Sequence, residues 1–246
     1  MIPTAPLEPP RIGCAGWSLS SAVAEAFPAQ GTHLQRYGEV FNAVEINSSF
    51  YRPHKPETYA KWRDSVPDAF RFSVKIPKAI SHEAKLRNIE ELLQRFLGEV
   101  GHLEHKLGCL LLQLPPKLAF DADAADAFFT LLRDSVAAPV VCEPRHATWF
   151  EEAAAAVLAR HGVAYVDADP RIGEAPAIEA PLAYIRLHGS PKIYYSAYDD
   201  AFLDVLAQRI ALKARAGKQV WCVFDNTASG AAVPNALALM RRLELP

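Results

Sequence analysis

Short strand-like segments alternate with helical segments along almost the whole chain, and this alternation limits the folds that are open to it. The strand-like segments are rich in β-branched, aliphatic or aromatic residues and lie at residues 11–17, 41–51, 70–77, 109–116, 140–146, 165–166, 184–189 and 221–226. About seven helical patterns separate them, and the connections are long enough for parallel pairing. We therefore expect an α/β fold, a TIM-like (β/α)8 barrel, as a single domain over residues 1–246.

A doubly wound open sheet is the other arrangement that such alternation permits. That fold usually carries a glycine-rich phosphate fingerprint after its first strand, and GCAGWS (13–18) does not match GxGxxG. One connection departs from the alternation. Between about Ala168 and Pro181 the chain contains further prolines at 170 and 176 and shows no helical period, so we expect a helix-poor connection after strand 6.

Composition excludes several classes of function. The net charge of −2 comes without any run of like charges, so we expect no nucleic-acid partner and no anionic membrane surface. Residues 1–10 form a Pro-rich N-terminal extension that resembles neither a signal peptide nor a membrane anchor, and we expect a cytoplasmic protein. The four cysteines (Cys14, Cys109, Cys142, Cys222) lie in predicted strands without metal-ligand spacing, which predicts buried reduced thiols.

Six of the predicted strands carry a polar residue near their ends. In the segment 41–51, Glu45 shares one parity with Ala43 and Asn47, while Val44 and Ile46 have the other, so one face of this strand is polar. In a barrel, side chains at the carboxyl ends of the strands converge on one mouth. By parity, the residues that point to this mouth are Glu45, Lys75, Gln113, Glu143, Arg145, His188 and Asp225.

This set predicts acid/base chemistry on an anion. Two carboxylates in unlike surroundings can have their pKa values pushed apart, so that one acts as an acid and the other as a base. Lys75 and Arg145 can hold an anionic substrate, His188 can move the proton, and Arg186 lies deeper and orients Glu143 or Asp225. The expected catalytic residues are Glu45, Lys75, Glu143, Arg145, His188 and Asp225, and the reaction class is left open among lyase, isomerase and hydrolase.

The loops after the seventh and eighth strands suggest a phosphate. Residues 188–196 and 225–236 are rich in small and hydroxyl side chains, and the second loop runs into the last helix, where backbone N–H groups can hold an anion. The alternative to an anion-binding site is a structural helix cap whose small residues allow tight packing. The expected substrate-binding residues are Asn47, Tyr51, Gln113, Arg186, Gly189, Asn226, Thr227, Ser229 and Gly230, and the expected ligand is an anionic small molecule such as a phosphorylated sugar derivative.

Seven ordered motifs make the sequence resemble the YecE-like family, domain of unknown function 72. They are IGCAGWS, VEINSSFYRPHKPETYAKW, FRFSVKIPKAISHE, LGCLLLQLPP, CEPRHATWF, YIRLHG and FDNTASGAAVPNAL, from Ile12 to Leu237. The resemblance implies a TIM-like barrel and no settled activity, cofactor or substrate. Two positions depart from the family pattern: Pro144 replaces a more usual aromatic or aliphatic residue, and Asp225 replaces a frequent Asn, which adds a negative charge at the mouth.

Three other interpretations of the polar set remain open. The first is a metal-dependent isomerase or nuclease, whose possible metal ligands are Glu45, Glu143, His146, His188 and Asp225. Lys75 and Arg145 would repel a cation at this place. We therefore expect no metal and no cofactor. A non-catalytic small-molecule-binding protein is the second. In the third, ions such as Glu45 and Lys75 pair across strands and only close the barrel. The oligomeric state is left open.

Overall fold

The computed structural model describes residues 8–180 and 182–245, and these residues form eight parallel strands. The strands are β1 (Arg11–Cys14), β2 (Ala43–Ile46), β3 (Arg71–Lys75), β4 (Leu107–Gln113), β5 (Val140–Glu143), β6 (Ala164–Asp169), β7 (Leu182–Leu187) and β8 (Gln219–Phe224). They are hydrogen-bonded in the order β1-β8-β7-β6-β5-β4-β3-β2. This order is that of a barrel, so the expected TIM-like fold is confirmed and the open doubly wound sheet is excluded.

A single bridge between Ala15 and Glu45 closes the barrel between β1 and β2. The two strands approach closely because Gly13 has no side chain: a Cβ at this position would lie 2.1 Å from the carbonyl oxygen of Ala43. The hydroxyl of Tyr37 completes the seam, since it accepts from the Cys14 N–H at 2.8 Å and donates to the Ala43 carbonyl at 3.1 Å. The barrel is therefore nearly closed.

Seven α-helices surround the barrel in the described part of the chain. They are α1 (His33–Gly38), α2 (Pro56–Asp64), α3 (Glu90–Val100), α4 (Ala122–Ser135), α5 (Glu152–Arg160), α6 (Asp200–Arg215) and α7 (Ala232–Arg242). A 3-10 turn (Ala147–Phe150) precedes α5, and the Thr148 hydroxyl in this turn accepts from the Phe120 N–H at 2.7 Å. None of the described helices is long and apolar enough to cross a membrane.

The connection after β6 contains no helix, as expected. Residues 170–180 form bends and irregular backbone, and Pro181 lies outside the described residues. Since no helix covers this side of β6, the connection itself lies there and leaves a cavity of about 470 Å³, which extends from Glu143 to Lys218.

Two apolar regions position the polar residues of the barrel. One lies between the strands and the helices. The other fills the lower barrel interior, where Tyr184 and Trp221 stack with ring centroids 6.0 Å apart in one cluster with smaller residues such as Ala43 and Val141. All four cysteines are buried and free, and burial raises the thiol pKa of Cys14 and of Cys109 to about 12. The polar residues are therefore confined to the upper end of the interior.

Candidate active site

Polar side chains fill the barrel interior at the carboxyl ends of the strands. Contacts that cross the barrel establish their inward direction: Arg186 of β7 reaches Glu45 of β2, and Tyr184 of β7 reaches Ser73 of β3. The period of two along β7 places Tyr184, Arg186 and His188 at successive heights on the inner face. The polar interior consequently has a lower layer and an upper layer.

Arg186 is the centre of the lower layer and is fully buried. Its Nη2 and Nε donate to the two oxygens of Glu45 at 2.7 and 3.0 Å, which is a bidentate pair. The same guanidinium lies 3.0 Å from Asp225 Oδ2 and 3.2 Å from Glu143 Oε2. Burial lowers the pKa of Arg186, but the charges of these three carboxylates outweigh burial and hold the pKa well above its usual value.

Glu45 belongs to this lower layer and not to the mouth. Its side chain is fully buried, and its Oε2 also lies 2.9 Å from the hydroxyl of Tyr184, which in turn lies 2.9 Å from Ser73 Oγ. The suggested ion pair between Glu45 and Lys75 does not form, because Arg186 occupies the Glu45 carboxylate. Glu45 therefore lies below the mouth, where it holds the guanidinium of Arg186 in place.

His188 connects two carboxylates in the upper layer. Its Nδ1 lies 2.9 Å from Asp225 Oδ2, and its Nε2 lies 2.9 Å from Glu143 Oε1. Burial lowers the pKa of His188, but the hydrogen bonds to Asp225 and Glu143 raise it further, so the net shift is upward. Both ring nitrogens can donate only when the imidazole is protonated, which agrees with this shift.

Glu143 and Asp225 remain ionised. Burial raises the pKa of Glu143, but the charge of Arg186 and the hydrogen bond from His188 hold it well below the usual range. Burial acts in the same way on Asp225, and Arg186 and His188 again lower its pKa. The expectation that the site separates the pKa values of two carboxylates is therefore not met for this pair, since Arg186 and His188 contact both and shift both downward.

Arg145 and Gln113 complete the upper layer. Gln113 Nε2 donates to Glu143 Oε1 at 3.0 Å, and Arg145 forms an ion pair with the same oxygen. Arg145 Nη2 also lies 2.7 Å from His188 Nε2, so Arg145 and His188 share this carboxylate oxygen with Gln113 and repel each other when His188 is protonated. The Arg145 side chain is 13% exposed, which places it nearer to the opening than His188.

Lys75 stands apart from these ion pairs. Its side chain is buried at the end of β3, and its Nζ lies 4.2 Å from the centroid of the Phe50 ring, in a cation–π contact. Lys75 forms no ion pair with any of the residues that the structure describes. Burial, followed by the charge of Arg186, lowers the pKa of Lys75 to about 8.

The two rim residues predicted on β2 and its loop lie in different places. Asn47 is half-buried at the start of the 3-10 turn Ser48–Phe50, and its Oδ1 has no hydrogen-bond partner within the described chain. Tyr51 is 67% exposed and lines a separate groove of about 360 Å³ with Leu92 and Phe96 of α3. The proposed contact of Tyr51 with a ligand at the mouth is therefore not supported, because its ring lies on the outer side of the rim.

Several predicted anion-binding groups are used to hold two loops together. The Gly189 N–H donates to the Tyr198 hydroxyl at 2.8 Å, and Ser229 Oγ donates to the Tyr195 carbonyl at 2.5 Å. Asn226 Nδ2 donates to the Ser196 carbonyl at 3.0 Å. The bonds of Ser229 and Asn226 fix the loop after β7 to the loop after β8, whereas the bond of Gly189 lies within the loop after β7. All three donors are therefore occupied in this structure.

Thr227 and Gly230 are exposed and line a cavity of about 410 Å³. The cavity lies between the end of β1, with Gly16, and the first turn of α7, with Ala232 and Val233. The backbone of Gly230 has φ +77°, and an added Cβ would meet nothing within 4 Å. Of the predicted loop residues, Thr227 and Gly230 are thus the two that face open space beside a helix N-terminus.

Three further residues belong to the site and were not among those predicted. Ser73 and Tyr184 share the inward parity of Lys75 and Arg186, so the period of two could have identified them. Tyr194 lies in the loop after β7 at φ 69°, and its ring packs edge-on against His188 at 5.9 Å. Burial raises the pKa of Tyr194, and the charge of Asp225 contributes. A loop residue in this unusual conformation gives no periodic signal.

The described residues contain no group of three or more His, Cys, Asp or Glu side chains placed to hold a metal ion. Of the ligands considered for a metal site, Glu45, Glu143, His188 and Asp225 contact one another or Arg186. His146 instead caps a turn, since its Nδ1 accepts from the Thr148 N–H at 3.3 Å. Arg186 takes the central position among the carboxylates.

Comparison with known proteins agrees with this architecture. The family model described as "Protein of unknown function DUF72" matches residues 11–246. UPF0759 protein YecE of Escherichia coli (strain K12) is 42% identical over 84 residues, which cover 34% of this chain and only 31% of YecE. UPF0759 protein YunF of Bacillus subtilis (strain 168) is 24% identical over 95% of this chain and 94% of its own length.

A solved structure extends the similarity to the fold. The crystal structure of a DUF72 family protein from Thermotoga maritima MSB8 aligns with a TM-score of 0.81 and 24% identity, and the alignment covers 96% of this chain and all of that chain (100%). At this level of identity the likeness concerns the fold alone. The family model, in contrast, spans nearly the whole sequence. The chain therefore belongs to the DUF72 family.

Proposed function

We propose that this barrel is an enzyme that binds an anionic small molecule at its C-terminal mouth and transfers protons there. The observation that carries the proposal is the charge arrangement of the polar interior. Glu45, Glu143 and Asp225 supply three negative charges, and each of the three contacts Arg186. The remaining cations are His188, Lys75 and Arg145, and their exposure increases in this order from the centre to the rim.

A protonated His188 gives this set one positive charge in excess, four cations against three anions. The excess lies near the opening, because Arg186 and Glu45 neutralise each other at the bottom while Arg145 is partly exposed. An anion at the mouth would therefore meet Arg145 and Lys75 first. The surrounding barrel wall has a low dielectric constant, which strengthens this attraction relative to water.

His188 and Lys75 are the groups best suited to proton transfer. Glu143 and Asp225 have lowered pKa values and stay ionised at neutral pH, so they orient His188 and stabilise its charge. Arg145 and His188 repel each other across Glu143 Oε1 when His188 is protonated, and this repulsion favours release of the proton. In this proposal the carboxylates orient His188, and His188 acts as the acid or base.

The cavity at the start of α7 supports a phosphate as the anionic group. It combines open space at Thr227 and Gly230 with the first turn of an 11-residue helix, where the N–H groups of Ala232 and Val233 and the helix dipole favour negative charge. Pro234, the third residue of the helix, has no N–H to donate. In this proposal a phosphorylated compound places its phosphate in this cavity. The loops that border the cavity are already fixed by hydrogen bonds of Ser229 and Asn226.

The buried ion pairs favour a second candidate function, in which these ions only stabilise the closed barrel. The side chains of Arg186, Glu143 and His188 are 1% exposed or less and satisfy one another. A purely structural cluster predicts no ligand at all. The two candidates therefore differ in one measurable property, which is the binding of anions.

Isothermal titration and thermal shift with inorganic phosphate, glycolate and neutral glycerol test the proposal. We expect phosphate and glycolate to bind and to raise the melting temperature, with an affinity that falls as pH rises through about 8, where Lys75 loses its proton. Glycerol should have no effect. Failure of every anion to bind, or equal stabilisation by glycerol, would contradict the proposal and favour the structural candidate.

A matched pair of variants locates the phosphate. Asp and Asn both tolerate the positive φ of Gly230 and have the same shape, so Gly230→Asp differs from Gly230→Asn by one negative charge. We expect Gly230→Asp to weaken phosphate binding at least tenfold relative to Gly230→Asn. Equal affinity of the two variants would place the phosphate away from α7.

A further inference from the structure

We propose that Lys75 is a nucleophile that forms a Schiff base with the carbonyl carbon of the substrate. The ligand class then narrows to small aldehydes and ketones that carry an acidic group. The acidic group rests on the proposed function above, whereas the nucleophilic role of Lys75 rests on its own surroundings. Four observations carry it: the position of Lys75 in the barrel, its contact with Phe50, its freedom from ion pairs and the contrast with Lys106.

The position of Lys75 is that of a reacting group. It is the last residue of β3, on the inner face, in register beside Leu111 of β4 and near the charges of Arg186 and Asp225. Side chains at the carboxyl ends of barrel strands surround the mouth where substrates bind. Only 4% of Lys75 is exposed, so a bound compound would exclude water from its amine.

The other cations of the cluster pair with carboxylates, and Lys75 pairs with none in the part of the chain that the structure describes. Arg186 binds three carboxylates, His188 contacts two and Arg145 pairs with Glu143. The Lys75 ammonium instead faces the ring of Phe50 and forms no ion pair within residues 8–180 and 182–245. Burial of the Lys75 ammonium therefore costs desolvation free energy, and no ion pair offsets this cost as it does for the other three cations.

Lys106 shows what a structural buried lysine looks like in the same protein. It lies just before β4, at the opposite end of the barrel, and its exposure is as low as 6%. Its Nζ donates to the carbonyl oxygens of Arg63 and Val66 at 2.8 and 2.7 Å. These bonds occupy the Lys106 ammonium and tie it to the end of α2. No comparable bonds hold Lys75 among the described residues.

Burial also supplies the reactive form of the amine. With a pKa of about 8, roughly a tenth of Lys75 side chains are neutral at pH 7, compared with about one in three thousand for a lysine at 10.5. Only the neutral amine has a free electron pair, so the reactive fraction rises about 300-fold. The four thiols are not competing nucleophiles, because all are buried and their pKa values are raised.

The proposed step needs no further reagent. The Lys75 nitrogen pair attacks the carbonyl carbon while the carbon–oxygen π pair moves to oxygen, and one proton passes from nitrogen to oxygen to give a carbinolamine. The hydroxyl then takes a second proton from solvent and leaves as water. The nitrogen pair forms the carbon–nitrogen double bond, and the product is an iminium ion that keeps the positive charge of the original lysine.

Reductive trapping on the full-length protein tests this step. The protein is incubated with cyanoborohydride and either glyoxylate, an anionic aldehyde, or propanal, a neutral one, and the modified lysines are mapped by peptide mass spectrometry. We expect the adduct at Lys75 to form at least tenfold faster at pH 7 than at the exposed Lys61 or Lys117, with a half-maximal rate near pH 8. Lys75→Arg keeps the charge and should lose only this adduct.

The two aldehydes separate this inference from the proposed function. Trapping at Lys75 by propanal supports the nucleophile even if no anion binds to the protein. Preference for glyoxylate over propanal at Lys75 supports both the nucleophile and the anionic ligand. Modification of Lys75 no faster than Lys61 with both aldehydes overturns the inference, and it does so even when phosphate and glycolate bind as expected. The wild-type mapping decides the question even if Lys75→Arg does not fold.

Discussion

Removal of the Arg186 guanidinium should be the most damaging single change in the barrel interior. Arg186→Met keeps the bulk of the side chain and leaves Glu45, Glu143 and Asp225 without the cation that contacts all three. Removing one partner of a buried ion pair typically costs about 3–5 kcal/mol. In a chain of this size, that corresponds to a fall of about 6–20 °C in melting temperature.

The pH dependence distinguishes this explanation from a packing defect. In the wild type, the folded-state pKa values of Glu143 and Asp225 are lowered from 4.5 and 3.8, so these carboxylates contribute stability above those values and lose it as pH falls. Without Arg186, burial dominates and their pKa values rise. The variant should then take up protons in the folded state, and the difference from the wild type should narrow between pH 7 and pH 4.

Urea unfolding followed by circular dichroism at pH 7 and pH 4 measures both effects. The double variant Arg186→Met/Glu45→Gln should regain about 1–3 kcal/mol relative to Arg186→Met, because the unpaired charge at the bottom of the cluster is gone. Arg209→Met is the control, since Arg209 forms a partly exposed pair with Asp167 that is worth about 1 kcal/mol or less. The reasoning would be refuted if Arg186→Met lowered the free energy of unfolding no more than Arg209→Met does. It would also be refuted if the decrease for Arg186→Met were the same at pH 7 and pH 4.

Two further predictions concern residues around the mouth. Lys75→Met should raise the free energy of unfolding at pH 7 by up to about 3 kcal/mol, because the buried ammonium is disfavoured below its pKa of about 8. This gain in stability should disappear as pH rises to 10.5, the pKa of an unperturbed lysine. A lower free energy of unfolding at every pH, measured by urea unfolding, would contradict the prediction. Asn235→Ala should cost about 2–3 kcal/mol and make residues 190–197 sensitive to limited proteolysis, because Asn235 holds the backbone of Tyr198 and the amide of Asn226. Unchanged proteolysis would contradict that prediction.

Much of the fold and the inward-facing set could be predicted because both depend on simple periods. Alternation of strands and helices indicates a parallel barrel, and the period of two along a strand decides which residues face inward. That rule correctly groups Glu143, His188 and Asp225, which are in contact. The helix-poor connection was also predictable, since prolines remove the helical pattern.

The heights and partners of those residues could not be predicted. Strands in a barrel are staggered, so residues equally late in β2 and β7 need not lie at the same level. Glu45 therefore meets Arg186 below the mouth and not Lys75 beside it. The roles of Ser229 and Tyr194 depend on how two loops pack against each other, and no short-range pattern records such a contact.

The two layers of the polar interior explain how one cluster can serve both stability and chemistry. In the lower layer, Arg186 and Glu45 are fully buried and satisfy each other. Their contribution is to hold Glu143 and Asp225 ionised, and these two carboxylates in turn raise the pKa of His188. Lys75 receives no such compensation, and its pKa falls to about 8. The pKa values of the two groups therefore shift in opposite directions: the carboxylate partners raise that of His188, and burial lowers that of Lys75. In the proposed function these are the two groups that transfer protons.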